Sequence, residues 1–116
     1  MKRIIPKERD IQQAIQQAAP LLKCHLMRNN VGLVEHKKGG YVRYGLCVGS
    51  SDLIGYTIVN GQAIFTAVEV KRPRQKPTPA QTVFLASVKQ AGGIAVVASD
   101  FTDLQDAIKQ YTSSIP

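Results

Sequence analysis

The alternation of apolar and polar positions is clearest from Ala63 to Lys71, and it predicts a β-strand that ends in two charged side chains. Side chains along a strand point alternately to its two faces, so Glu69 and Lys71 should share one face with Phe65. Burying a carboxylate and an ammonium at the end of an apolar strand is costly unless they are paired or metal-bound. The pattern therefore indicates a candidate site at this strand end.

The rest of the hydrophobic pattern predicts an α/β domain with a central mixed β-sheet flanked by helices. Strands are predicted at Cys24–Asn29, Leu53–Val59, Ala63–Lys71 and Ile94–Ala98, and Tyr41–Tyr44 is a candidate for a further short strand. Helices are predicted from Pro6 to about Ala19, from Thr78 or Pro79 to Ala91, and after a cap at Asp100 or Thr102. Asn60-Gly61 predicts a hairpin turn, and the strand–helix–strand unit after it implies parallel pairing. The predicted element order is α-β-β-β-α-β-α.

Helical spacing also predicts which residues face the core. They are Ile11, Ala14, Ile15, Ala18 and Leu22 in the first helix, Val83, Phe84, Val88 and Ala91 in the second, and Leu104, Ala107, Ile108 and Tyr111 in the last. Two segments fall outside the periodic pattern. Glu35–Gly40 is polar and glycine-rich, which predicts a mobile loop, and Arg72–Pro79 is a basic, proline-rich connector.

The composition fits a single domain, residues 1–116, with a basic surface. Fifteen Lys and Arg against eight Asp and Glu give a net charge of +7, with an isoelectric point near 9.7. This charge favours a polyanionic partner such as nucleic acid, although a generally basic surface kept for solubility would also explain it. The N-terminus lacks the apolar core of a signal peptide, no run reaches transmembrane length, and two cysteines are too few for a disulfide scaffold. These features predict a cytoplasmic protein without a membrane partner.

A second isolated carboxylate, Asp52, precedes the strand Leu53–Val59 and lies 17 residues before Glu69. The predicted hairpin would return Glu69 to its side. Hard divalent cations such as Mg²⁺ and Mn²⁺ prefer oxygen ligands, so the two carboxylates and the backbone carbonyl of Val70 are candidate metal ligands. The Lys71 ammonium cannot bind a metal, and its expected role is to hold a water and stabilise charge on a phosphate. Simpler explanations stand beside these: a solvated Glu–Lys pair, and an aspartate that begins a turn.

Four segments carry a resemblance to a known nuclease family. They are Gly49–Gly55, Ala67–Pro73, Lys76–Gln81 and Ala91–Gly93. In combination they resemble the VRR-NUC family of the PD-(D/E)xK nuclease superfamily, over about Glu8 to Ala98. The sequence departs from the family at Ser51, since a proline usually precedes the motif aspartate. That proline shapes the loop and does no chemistry.

The resemblance implies a restriction-endonuclease-like core and a set of site residues. It implies that Asp52 and Glu69 bind the metal and that Lys71 is the catalytic lysine. It also implies a supporting active-site role for Gln81 and an acidic contribution from Glu8 on the first helix. The expected cofactor is Mg²⁺ or Mn²⁺, and no organic cofactor is expected.

Residues expected to contact DNA are basic or lie in flexible segments. They are Arg28, Asn29, Asn30, Lys37, Lys38, Arg43, Arg72, Arg74 and Lys76. Small standalone members of the family resemble Holliday junction resolvases, which implies a homodimer that cuts four-way junctions symmetrically in a bacterial or phage-infected cell. Ile54, Tyr56 and Ile58 are candidate dimer contacts. The alternatives are a flap, nicking or restriction-like nuclease, and a non-catalytic nucleic-acid-binding module.

Overall fold

The computed structural model describes residues 5–116, and the first four residues of the N-terminal segment considered above lie outside that range. The helices in this range are α1 (Glu8–Ala18), α2 (Pro79–Gln90) and α3 (Phe101–Ser114), and a 3₁₀ turn (Ala19–Leu22) follows α1. The strands are β1 (Cys24–Arg28), β2 (Gly32–Glu35), β3 (Tyr41–Tyr44), β4 (Leu53–Val59), β5 (Gln62–Val70) and β6 (Ile94–Ala98).

Four strands form the central sheet in the order β1-β4-β5-β6. β4 pairs antiparallel with β1 and with β5, whereas β6 pairs parallel with β5. The sheet is therefore mixed and flanked by helices, and the predicted α-β-β-β-α-β-α order is confirmed for the sheet and its helices. Because β5 and β6 are parallel, the ends of both strands meet at one edge, where Val70 lies opposite Ala98.

The strands β2 and β3 form a separate antiparallel hairpin between β1 and β4. β3 covers the predicted Tyr41–Tyr44 strand, but β2 was not predicted, because Gly-Leu-Val-Glu is too short to show an alternation. Of the Glu35–Gly40 segment predicted as a mobile loop, Glu35 is the last residue of β2 and residues 36–40 form the turn of the hairpin. His36 N donates a hydrogen bond to the Gly40 carbonyl over 2.9 Å, which closes the turn.

The second half of β5, Thr66–Val70, is buried on both faces, and this burial determines the environment of the candidate site. On one face, Val68 and Val70 pack with Ile11 and Ile15 of α1 and with Leu104 of α3. A second set of contacts covers the other face, where Ala67 and Ala95 pack against Leu85 and Val88 of α2. Glu69 lies on the second face, so its carboxylate enters the sheet–helix layer rather than solvent.

Some of the predicted core positions are wrong. Val83 and Ala91 of α2 are exposed, and Leu85, which was not predicted, is buried. The helix packs through the adjacent Phe84 and Leu85 and through Val88, one turn later, and it ends before Ala91. Ala14 of α1 is likewise exposed, since Ile11 and Ile15 alone supply the buried side chains of that helix.

The helix α2 covers β5 and β6 but leaves the β1 and β4 half of the same sheet face exposed. The exposed apolar residues there are Met27, Tyr56, Ile58 and Phe65. The rings of His25 and Tyr56 lie 5.1 Å apart on this face. At Gly55 the β1 and β4 backbones are so close that a Cβ would overlap the carbonyl of His25. β1 and β4 are therefore closely paired, and α2 leaves one face of this pair exposed.

Candidate active site

The two carboxylates identified in the sequence meet where β4 begins and β5 ends. Leu53 pairs with Val68 in the antiparallel register, so the preceding residue, Asp52, lies opposite Glu69. Oδ2 of Asp52 accepts a hydrogen bond from Val70 N at 2.9 Å. The Asp52 side chain thereby continues the β4–β5 pairing by one more hydrogen bond.

The backbone of Val70 is oriented toward this carboxylate. Its N–H points to the β4 side, and in an antiparallel ladder the N–H and C=O of one residue point to the same neighbour. The next residue points the other way, since Lys71 N donates to the Ala98 carbonyl of β6 at 3.0 Å. The Val70 carbonyl is therefore directed toward Asp52, the position expected of a backbone metal ligand.

Glu69 is 1% exposed, and its two carboxylate oxygens have different surroundings. Oε1 accepts from Gln81 Nε2 at 3.0 Å and lies 3.7 Å from the Lys71 ammonium nitrogen. Within residues 5–116, Oε2 is buried without a hydrogen-bond partner. The side chain of Lys71 is 14% exposed, so the ammonium lies at the margin between the site and solvent.

The electrostatics of the site favour a protonated Glu69 when no cation is present. Burial raises the pKa of Glu69 to about 8, and the nearby charge of Asp52 acts in the same direction. The Lys71 ammonium lowers this pKa, and Glu8 raises it. The two carboxyl groups therefore resist being ionised together, which is the arrangement that a cation between them would relieve.

Gln81 connects the site to the start of α2. Its Oε1 accepts from Thr78 N at 2.8 Å, and its backbone N donates to Thr78 Oγ1 at 3.2 Å, which completes a capping box. The same side chain donates to Glu69 through Nε2. The family resemblance implies a site role for Gln81, and its amide contacts both Glu69 and the α2 cap.

The loop before Asp52 is held by Asn29, at the end of β1. Asn29 Nδ2 donates to Ser50 Oγ at 2.7 Å and to the Ser51 carbonyl at 2.9 Å, and its backbone N donates to the Asp52 carbonyl at 2.8 Å. Its Oδ1 accepts from Leu46 N. Ser51, where the family usually has proline, is fully buried in this network. Sequence reasoning missed this role, because nothing local indicates that Asn29 and the loop meet; its contact with DNA stays a prediction.

The remaining predicted residues surround the site without joining it. Glu8 and Arg28 line a polar groove of about 330 Å³ between α1 and β1. Lys37 and Lys38 lie in the β2–β3 turn and Arg43 on β3, while Arg72, Arg74 and Lys76 lie on the connector after β5. Arg74 adopts the left-handed conformation with φ of 74°, and Arg72 N donates to Gln75 Oε1 at 3.0 Å. The basic side chains are therefore distributed over three parts of the chain: the end of β1, the β2–β3 hairpin and the connector after β5.

Comparison with protein families agrees with this geometry. The model of the VRR-NUC domain matches residues 6–100 of the 116-residue chain. The chain belongs to the VRR-NUC family. Membership supports a nuclease function and the restriction-endonuclease-like fold assigned above. No match was found among curated proteins. Over the described range, no helix is long and apolar enough to span a bilayer.

The VRR-NUC site offers oxygen donors to a metal ion but only a small number of them. Within the described range, His, Cys, Asp and Glu side chains form no group of three that could hold a metal ion. The oxygen donors available are the two carboxylates and the Val70 carbonyl, which are the hard ligands that Mg²⁺ and Mn²⁺ prefer. Mg²⁺ usually keeps several waters and takes only one or two carboxylates, so this small donor set fits it. The unpartnered Glu69 Oε2 is an oxygen available to such an ion.

Proposed function

We propose that the protein is a divalent-metal-dependent DNA endonuclease that cleaves branched DNA, with four-way junctions as its preferred substrate. The observation that carries the proposal is the buried Glu69 carboxylate beside Asp52, with Oε2 unpartnered among residues 5–116. A cation is the simplest partner for two carboxyl groups that repel each other in a buried site. The proposed ligands of Mg²⁺ or Mn²⁺ are Asp52, Glu69 and the carbonyl of Val70.

The roles of the residues follow from their contacts. A bound divalent ion supplies an activated water and neutralises charge on the phosphate. Gln81 holds Glu69 Oε1, which leaves Oε2 free for the ion, and Val70 N holds one Asp52 oxygen, which leaves the other free. Lys71, 3.7 Å from Glu69, is positioned to donate a hydrogen bond to the attacking water or to a phosphate oxygen.

The test is cleavage of labelled four-way junction, flap and linear duplex DNA with Mg²⁺, Mn²⁺ or EDTA. We expect paired symmetric cuts on the junction that EDTA abolishes. Lys71→Ala should lose at least about 100-fold in rate, as expected when a group that assists proton transfer or charge stabilisation is removed. Lys89→Ala, a basic residue on the far end of α2, should cut like the parent.

Two other results would change the assignment. Equal cutting of flaps and duplex would keep the nuclease and remove the junction preference. DNA binding without cutting in any metal would favour the non-catalytic binding module.

A symmetric pair of cuts requires two sites related by a two-fold axis, so we propose a homodimer. The surface that supports it is the uncovered half of the sheet, where Met27, Tyr56, Ile58 and Phe65 are exposed. Ile58→Asp should convert the dimer to a monomer in sedimentation velocity, because an ionised carboxylate would be buried in the interface. Val83→Asp, at an exposed position of α2, is the matched control. A parent that sediments as a monomer would remove the dimer from the proposal.

A further inference from the structure

The β2–β3 hairpin is the largest feature that the proposed chemistry leaves without a role. Every side chain on its two strands is exposed, and Gly32 lies beneath the ring of Tyr44. The apolar members are Leu33, Val34, Tyr41, Val42 and Tyr44, with Val31, Leu46 and Val48 exposed near its base. A two-stranded hairpin is marginally stable alone, and clustered exposed apolar side chains usually mark a binding site. Val34, Val42 and Tyr44 share one face of this hairpin, and Leu33 and Tyr41 share the other with Glu35 and Arg43. The hairpin is thus a candidate binding surface.

The base of the hairpin is fixed to the active site. The chain leaves β1 at Asn29. Its backbone N donates a hydrogen bond to the Asp52 carbonyl, and its side-chain amide donates one to the Ser51 carbonyl. The returning strand is held at Leu46, whose N donates to Asn29 Oδ1. A ligand that covers the base of the hairpin therefore lies beside the loop that carries Asp52.

The charge of the hairpin favours DNA over a second copy of the chain. From Val31 to Leu46 there are three basic residues, Lys37, Lys38 and Arg43, against one acidic residue, Glu35. A second copy that set its own hairpin against this one would bring like charge to this surface, whereas DNA brings opposite charge. Phosphates alone would not cover tyrosine, leucine and valine side chains. Base faces would, and they are exposed where a duplex ends or branches.

We propose that the β2–β3 hairpin is a wedge that enters the branch point of the DNA and stacks on the terminal base pair there. Tyr41 is the stacking residue, since it is 73% exposed; it lies opposite Glu35 and shares a face with Leu33 and Arg43. Lys37 and Lys38 at the turn contact the flanking phosphates. The inference rests on the proposed nuclease function and names the feature by which that site would distinguish branched from linear DNA.

The experiment measures two quantities for the full chain. One is the ratio of cleavage rates on four-way junction and linear duplex, with Mg²⁺. The other is the fluorescence of 2-aminopurine placed at the branch point, read in EDTA so that binding is seen without cutting. Tyr41→Ala should lower the rate ratio by between about 5-fold and about 150-fold, the loss expected for one base–aromatic stack. It should also abolish the fluorescence change.

Two controls are matched to this variant. Tyr41→Phe keeps the ring and should retain both signals. Leu21→Ala removes an 82% exposed apolar side chain near the opposite end of the sheet, where Lys23 pairs with Ile58, and should change neither.

Specific outcomes overturn the wedge. A Tyr41→Ala protein that keeps the rate ratio and the fluorescence change shows that Tyr41 does not stack on DNA. A Tyr41→Ala protein that changes from dimer to monomer shows that a second copy covers the hairpin. If the parent cuts no DNA, the proposed nuclease fails, and the fluorescence measurement still decides the wedge: loss of the signal in Tyr41→Ala supports it, and retention refutes it.

Discussion

Replacing Glu69 by glutamine tests the electrostatics of the site without any DNA. Glu69 is buried, and its pKa is raised from 4.5 to about 8. Between these pH values the unfolded chain loses a proton that the folded chain keeps. The free energy of unfolding of the metal-free parent therefore falls as pH rises through this window, and the fall is complete above pH 8. Glutamine does not titrate, so Glu69→Gln should not show it.

The magnitude follows from the size of the shift. At 1.36 kcal/mol per pKa unit, a rise from 4.5 to about 8 corresponds to at most about 5 kcal/mol. The Lys71 ammonium and water entering the site reduce the cost of the ionised form, so we expect about 2 kcal/mol. At pH 8 in EDTA, Glu69→Gln should then melt about 10 °C above the parent, and the difference should shrink toward pH 4.5.

The assay is thermal unfolding by circular dichroism from pH 4.5 to 8, in EDTA and in Mg²⁺. Mg²⁺ should stabilise the parent by mass action and leave Glu69→Gln unchanged. Glu35→Gln is the matched control, because Glu35 is exposed on β2 and its substitution should have little effect. If the Glu69→Gln difference stays flat across the pH range, Glu69 is hydrated and ionised in the folded protein, and the reasoning from burial is refuted.

Three further predictions concern stability and metal use. Gly55→Ala should lower the free energy of unfolding, measured in urea, by about 3 kcal/mol, because the new Cβ would overlap the His25 carbonyl. An unchanged urea midpoint would contradict the close approach of β1 and β4. Asn29→Ala should lower the free energy of unfolding by about 2 kcal/mol, because the Ser50–Asp52 segment loses its side-chain donor. It should also raise the Mg²⁺ concentration needed for cleavage. An unchanged metal dependence would show that Asn29 does not support the site. Thr78→Ala should cost about 1 kcal/mol through the loss of the α2 cap, while Thr78→Ser should restore it.

The central sheet could be predicted because its strands carry strong local signals. The alternation along β5, the Asn60-Gly61 turn and the apolar run of β6 each identify an element without knowledge of the others. The same alternation correctly assigned Glu69 to a buried face, although covering that face required α2. The predicted hairpin then brought Glu69 beside Asp52, as the register of β4 and β5 confirms.

The features that escaped prediction depend on contacts between distant parts of the chain. β2 exists only through its pairing with β3, so its short sequence carries little periodicity. The buried face of α2 is set by where the helix crosses β5 and β6, which helical spacing alone does not fix. The hydrogen bonds from Asn29 to the Ser50–Asp52 segment join residues 21 and 22 positions apart. An asparagine after a strand is common, and only the fold distinguishes this one.

The hydrogen bond from Val70 N to Asp52 Oδ2 makes one side chain part of both the sheet and the proposed metal site. Asp52→Ala would leave a backbone donor unsatisfied, so it tests folding and metal binding together, whereas Asp52→Asn can keep an oxygen acceptor for Val70 N. The consequence extends to evolution. In a descendant that had lost the reaction, selection for folding would still retain an acceptor at position 52, while Glu69 and Lys71 would be free to change. Substitutions at positions 69 and 71 should therefore be the first sign that a relative has lost activity.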